Sequence, residues 1–280
     1  MPFLSSSGVT LHYRIGGRAG KPRIAFTNSL GSDMRIWGSV EQILRDDFEM
    51  LFFDQRGHGL SQNVVAPYRL DDLSGDLLML LDVLGWEKTA LCGVSVGGLI
   101  AMDAALKDAT RVSHLMLFDT APRIGNADLW AARIETVEAD GLEAHADSFL
   151  ARWFPPSFAE EWPEAWHGWR RMLQATPEEG YIATCAALRD ADLTASIRRL
   201  DLPVLMLAGA EDISTPPSLV QQMAEHIRGS RFVTVPKAGH LPMIDASEAV
   251  ASEIRSFLGA ESLRRNRCGE ATLTLSRGSG

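Results

Sequence analysis

Three residues of this chain have types and spacing that could do chemistry together: a serine set between glycines, an aspartate after a late apolar run, and a histidine in a loop beyond it. Gly93-Val94-Ser95-Val96-Gly97-Gly98 follows the apolar run Thr89–Cys92 and precedes a helical pattern. The G-x-S-x-G spacing therefore falls in the strand–turn–helix context that a nucleophilic serine needs. Glycines two residues either side let the backbone pass through a tight turn without Cβ clashes, and the hydroxyl then projects near the positive end of the following helix. A dinucleotide-binding loop requires glycine where Ser95 stands, so that reading fails. A plain glycine-rich turn is the bland alternative.

A serine hydroxyl is a weak nucleophile until a base takes its proton. Among 7 histidines, His240 lies in Lys237-Ala238-Gly239-His240-Leu241-Pro242, a loop just after the last predicted strand. His12 sits within a strand, His114 begins one, His58 belongs to the turn Arg56-Gly57-His58-Gly59, and His145, His167 and His226 read as solvated helix positions. An imidazole also needs a carboxylate to fix its tautomer and stabilise the imidazolium. Asp212 ends Ala208-Gly209-Ala210-Glu211-Asp212 and precedes Pro216-Pro217. Asp119, at the end of the preceding strand, is the rival. Asp212 is preferred because acid and histidine loops at the ends of adjacent strands satisfy the geometry directly. A tetrahedral intermediate would need backbone N–H donors, expected from Val96 and from Leu30 in the early loop Thr27-Asn28-Ser29-Leu30-Gly31-Ser32-Asp33. Asp54-Gln55-Arg56-Gly57-His58-Gly59-Leu60-Ser61 is read as bracing beneath the site. No H-E-x-x-H, clustered Cys/His or EF-hand pattern is present, so no metal is implied.

The elements that must position these groups follow from periodicity. Short β-rich runs, Val9–Tyr13, Arg23–Thr27, Glu49–Phe53, Thr89–Cys92, His114–Phe118, Val204–Ala208 and Arg231–Val235, alternate with helical patterns. That alternation predicts an α/β fold with a mostly parallel sheet flanked by helices. A helix is expected over about 70–84, with Leu73, Leu77, Leu80, Leu81 and Leu84 on one face and Gly85 as its stop, and another from about Gly97. Between Pro122 and about Leu193 strand signals vanish and aromatic residues concentrate, five of the 7 tryptophans among them. This stretch reads as a helical cap. The expected organisation is a body over 1–121 and 194–260, a cap over 122–193, and a disordered tail over 261–280. On the first helix of the cap, near Asp128, Trp130, Arg133, Ile134 and Val137 share a face, and Arg133 has no acid three or four residues away. An arginine so placed is a candidate carboxylate ligand, or a snorkelling side chain at the stripe edge, with Arg152 the next candidate.

Composition bounds the function class. The 280 residues are 46% hydrophobic and carry a net charge of −9, which speaks against a nucleic-acid partner. The one basic cluster, Arg264-Arg265-Asn266-Arg267, lies near the end. Cys92, Cys185 and Cys268 form no disulfide framework, the start shows no signal-peptide pattern, and the apolar run Leu77–Leu81 is stopped by Asp82, far short of a membrane span. A cytoplasmic location is expected, while oligomeric state is not legible.

The chain resembles the 3-oxoadipate enol-lactonases, α/β-hydrolases of the β-ketoadipate route of aromatic catabolism. The motifs already quoted carry the resemblance, together with Thr120-Ala121-Pro122-Arg123-Ile124-Gly125, Arg152-Trp153-Phe154 and Ala187-Leu188-Arg189-Asp190-Ala191-Asp192-Leu193 within the cap. It covers about residues 1–258. Val94 and Val96 stand where bulkier Leu or Met is the family's habit, and Asn28-Ser29 where many relatives have His-Gly. The resemblance implies the α/β-hydrolase fold with a helical cap inserted between strands 6 and 7, a small anionic lactone as substrate, a serine acyl-enzyme and no cofactor. The same triad would serve a carboxylesterase, a C–C bond hydrolase of ring-cleavage products or a perhydrolase, and some hormone receptors keep it on this fold.

Overall fold

The computed structural model describes residues 2–6 and 8–259. Eight strands form one sheet: β1 (Phe3–Ser6), β2 (Val9–Gly17), β3 (Arg23–Thr27), β4 (Glu49–Phe53), β5 (Thr89–Val94), β6 (Val112–Phe118), β7 (Val204–Gly209) and β8 (Arg231–Val235), in the order β1-β2-β4-β3-β5-β6-β7-β8. β1 and β2 pair antiparallel, as do β2 and β4, and every other pairing is parallel. β5 and β7 are buried at every position and β3 at all but Arg23, because helices cover both faces of a parallel sheet. Their sequences are accordingly apolar without alternation. Phe26 of β3 stacks on Phe52 of β4 at 4.9 Å and tilts against Trp37 at 4.7 Å.

Three strands appear where the sequence predicts them to the residue, and the others differ at their ends. β1 was not expected, since its Phe-Leu-Ser-Ser is short and half polar. It is an edge strand that exists by pairing Phe3 with His12 and Ser6 with Val9. β2 runs on past Tyr13 because Arg14 to Gly17 continue to pair with β4, Gly16 with Met50 and Gly17 with Glu49. Gly17 sits at φ 73, and a Cβ there would lie 2.1 Å from the Phe48 carbonyl oxygen. Only glycine brings the two backbones that close.

The helices are α1 (Gly38–Leu44), α2 (Leu70–Val83), α3 (Val96–Lys107), α4 (Ala127–Ala144), α5 (Ala146–Leu150), α6 (Phe158–Glu161), α7 (Pro163–Gln174), α8 (Glu178–Asp190), α9 (Pro217–Glu225), α10 (Pro242–Asp245) and α11 over 247–259. α2 buries Leu73, Leu77, Leu80 and Leu81 as its leucine spacing predicts, and Gly85 at φ 64 follows its end. α4 to α8 all fall between β6 and β7, where no strand interrupts them. Asn126 caps α4 by accepting from the Leu129 amide at 2.9 Å. Its last turn kinks at Gly141, where the Leu142 amide donates instead to Glu178 of α8 at 2.8 Å. These inserted helices are tied to the rest by backbone. A Cβ on Gly180 of α8 would lie 2.1 Å from the Gly57 carbonyl oxygen, so the chain meets itself there without side chains between. Among the described residues no helix is long and apolar enough to cross a membrane. Residues 261–280, with the basic cluster and Cys268, lie outside the described residues.

Candidate active site

Ser95 stands between β5 and α3 with φ 58 and ψ −124, a backbone conformation that a residue with a Cβ rarely adopts. The surroundings over-determine it. The Ser95 amide donates to Phe118 O at 3.1 Å, and Thr120 Oγ1 donates to Ser95 O at 2.7 Å. A Cβ on Gly93 would lie 2.2 Å from the Gly97 carbonyl oxygen, and one on Gly97 2.5 Å from that of Thr27. The spacing of glycines around the serine is thus a packing requirement. Strain of about 1–3 kcal/mol held by such neighbours is typical of a functional turn.

His240 and Asp212 meet on the loops after β8 and β7. His240 Nδ1 and Asp212 Oδ2 are 2.8 Å apart, and Thr215 Oγ1 donates to the same carboxylate oxygen at 2.7 Å. The amides of Ser214 and Thr215 add donors at 2.7 and 3.2 Å. Burial alone would raise the Asp212 pKa, but His240 and these donors together outweigh it and hold the carboxyl at about 2. Gly239 lets the base loop lie against the inserted helices. A Cβ there would be 2.6 Å from Trp153 O, the atom to which the Leu241 amide donates at 3.2 Å. Ser95 and His240, 7% and 4% exposed, line one pocket together with Leu30, Trp130, Arg133 and Arg152. Its lining joins apolar and aromatic walls to a few polar groups, the make-up of a small-molecule site.

Leu30, the expected early-loop donor, lines that pocket beside Ser29. Val96 opens α3, so its amide has no carbonyl four residues back within the helix. The early loop is held from below. Asn28 donates from Nδ2 to Phe53 O at 2.8 Å and accepts from Trp37 Nε1 at 3.0 Å, which accounts for an asparagine at this position. The Gly31 amide donates to His58 Nε2 at 3.0 Å, and the Met34 amide to Asp54 Oδ1 at 3.0 Å. His58 is fully buried, and burial lowers its pKa to about 4, so it acts as a neutral acceptor. The sequence placed His58 only in a turn; its contact with Gly31 crosses 27 residues and leaves no local signal. Arg56 forks onto Asp76 of α2 with two bonds of 2.7 Å.

The inserted helices supply the rest of the pocket. Trp130 donates from Nε1 to Ile124 O at 2.6 Å. Arg133 lies over the Phe149 ring at 3.9 Å and donates to Tyr181 Oη at 3.2 Å. Arg152 is half-buried near it and reaches Ile213 O at 3.5 Å; burial, and then the charge of Arg133, lower its pKa. Among the described residues neither guanidinium has a carboxylate within salt-bridge distance, although the charge of Asp212 acts on Arg152 from further off; both cations share the pocket with Ser95 and His240. The aromatic partners Phe149 and Tyr181 were visible in the sequence as part of a cluster, without an assigned place at the pocket.

One further trio lies close: ligand-capable atoms of Asp119, Asp212 and His240 are all within 4.8 Å of one another. The Asp212 oxygens and one Asp119 oxygen already accept protein N–H or O–H bonds, an arrangement for holding an imidazole rather than an ion.

A strained serine after a central strand, with an aspartate–histidine pair on the next loops of a mostly parallel sheet, defines a serine hydrolase of the α/β type. The sequence profile of the alpha/beta hydrolase fold matches residues 25–247. Within that fold the chain belongs to the 3-oxoadipate enol-lactonase family. It is 35% identical to 3-oxoadipate enol-lactonase 2 of Acinetobacter baylyi over 91% of this chain and 95% of that protein. The crystal structure of the enol-lactonase from Burkholderia xenovorans LB400 superposes with a TM-score of 0.90 at 33% identity, covering 92% of this chain and 100% of that one. A thermophilic esterase from Thermogutta terrifontis, solved with malate bound, follows the same path at 28% identity and a TM-score of 0.85, over 92% of this chain and 96% of that one.

Proposed function

We propose that this protein hydrolyses 3-oxoadipate enol-lactone to 3-oxoadipate through an acyl-enzyme on Ser95. The observation that carries the reading is the pocket that holds Ser95 and His240 together with Arg133 and Arg152, neither of which forms a salt bridge among the described residues. A small lactone bearing a carboxylate matches both halves of it. The substrate carboxylate is assigned to Arg133, with Trp130 as the apolar wall beside it. Ser95 Oγ attacks the ring carbonyl as His240 takes its proton, Asp212 stabilises the imidazolium, and the oxyanion rests on the Leu30 and Val96 amides. The C–O bond of the ring breaks, and the enolate oxygen leaves, protonated by His240; the enol relaxes to the ketone. Water, deprotonated by His240, then releases the acid from Ser95. In this reading residues 122–193 form a cap over a body made of 1–121 and 194–260. The buried free thiols Cys92 and Cys185 fit a reducing compartment, and we place the protein in the cytoplasm.

The test is loss of the lactone's ultraviolet absorbance with purified protein, S95A and R133A, alongside p-nitrophenyl acetate. The lactone is turned over well above the ester, S95A abolishes both activities, and R133A raises KM for the anionic lactone about 10-fold or more while leaving the neutral ester unaffected. Turnover of the ester alone would keep the hydrolase and discard the lactone. Full activity in S95A would discard the mechanism.

A further inference from the structure

Behind the Asp212–His240 pair stands a second carboxyl to which the scheme above gives no task. Asp119 directly follows β6 with φ 44 and is 0% exposed. Its amide donates to Leu207 O at 2.8 Å, and its Oδ1 accepts from the Gly209 amide at 2.7 Å. Its Oδ2 is also buried and meets no donor among the described residues. One carboxyl oxygen each of Asp119 and Asp212 and a ring nitrogen of His240 lie within 4.8 Å of one another.

The acceptor count on Asp212 shows what this second carboxyl can do. Among the described residues Oδ2 already takes His240 Nδ1, Thr215 Oγ1 and the Thr215 amide, whereas Oδ1 takes only the Ser214 amide. A carboxylate offers about four lone-pair sites divided between its oxygens, so Oδ1 has room for another donor. Two carboxyls side by side and away from water do not both ionise. Asp212 is fixed as the anion by its donors, so the proton between the two belongs to Asp119.

We propose that Asp119 is a neutral carboxylic acid whose O–H donates to Asp212, a positioning residue that holds the carboxylate in line with His240. The proposal rests on Ser95, His240 and Asp212 running the chemistry as described. Burial pushes the Asp119 carboxyl well above the usual carboxylate range, and the neighbouring charges of Asp212 and then Asp245 push it the same way, against the Gly209 amide. A hydrogen bond from Asp119 also lowers the basicity of Asp212, so the proton taken from Ser95 stays on His240.

The experiment compares D119A and D119N with wild-type protein, using p-nitrophenyl acetate as well as the lactone, with S95A as the background for each. D119A lacks the donor and loses about 10- to 100-fold in Ser95-dependent kcat, the worth of one hydrogen bond to a charged group, with KM little changed. D119N keeps an acceptor for Gly209 and an N–H for Asp212. It recovers most of that loss, and the acid limb of its pH–rate profile stays in place. The infrared difference between wild-type protein and D119N at neutral pH shows the band of a protonated carboxyl, a readout that needs no substrate and survives if D119A does not fold. A missing band, wild-type kcat in D119A, or an acid limb displaced downward by about 1–3 units in D119N, the mark of a lost negative charge beside His240, would overturn the proposal. Turnover that persists in S95A would instead overturn the reading on which it rests.

Discussion

His58 makes no contact with the reacting atoms, yet its ring nitrogen fixes the amide next to Leu30. That geometry requires a neutral imidazole, and it gives the fold a pH dependence whose sign can be worked out. The unfolded chain takes up the His58 proton as pH falls through about 6.5. The folded chain resists until about 4. Stability attributable to this residue is therefore full above the unfolded value and lost progressively as pH falls between the two, by roughly 3 kcal/mol in all. Urea unfolding at pH 7 and pH 4.5 checks this: H58Q, whose amide oxygen can accept from Gly31 without titrating, loses less of its stability between the two pH values than the wild-type protein does. An equal loss in both would assign the acid sensitivity to other groups.

At the scale of elements, one point where the inserted helices are seated on the body is a direct backbone contact, flanked by side-chain contacts of Leu173, Thr176 and Tyr181 with Gly31. Gly180 of α8 lies against Gly57 in the turn that also carries His58, and Thr176 Oγ1 donates to Gly31 O at 3.3 Å, on the loop that carries Leu30. A methyl group at Gly180 must push the two apart, so G180A is expected to cost about 1–3 kcal/mol. It also loosens Tyr181, one residue on, and through it Arg133. A lowered urea midpoint together with a raised KM for the anionic lactone checks this; a wild-type midpoint would mean that the seam yields freely. The central strands and α2 were legible from sequence because burial on two faces, or on one helical stripe, writes itself into residue order. The serine turn and the Asp212 and His240 loops were legible for a related reason, since their glycines and chain order are local. β1 was not, because an edge strand of four residues is specified by its partner β2. Nor was the Gly57–Gly180 contact, in which neither residue has a side chain to leave a pattern.

For the whole molecule, the ties between the 122–193 segment and the loops of the body imply one cooperative unit. Leu193 N donates to Pro122 O at 2.8 Å, closing the base of the insertion, and Leu241 N to Trp153 O at 3.2 Å, pinning the base loop to it. Five of the 7 tryptophans lie within 122–193, so tryptophan fluorescence reports mainly on that segment, whereas far-ultraviolet circular dichroism reports on all the helices. The two signals are expected to give one coincident thermal transition. A fluorescence change that precedes the loss of helix would show a cap that melts alone. The glycine seam has a further consequence for how such an enzyme diversifies. Small steps of mutation need side chains to enlarge or trim, and the Gly57–Gly180 contact has none. Substitutions at Trp130, Arg133, Phe149 and Arg152, which line the pocket or flank its arginines, are therefore expected to change substrate preference at less cost in stability than substitutions at Gly57 or Gly180. A cap grafted from a relative would have to bring its own glycine to meet Gly57.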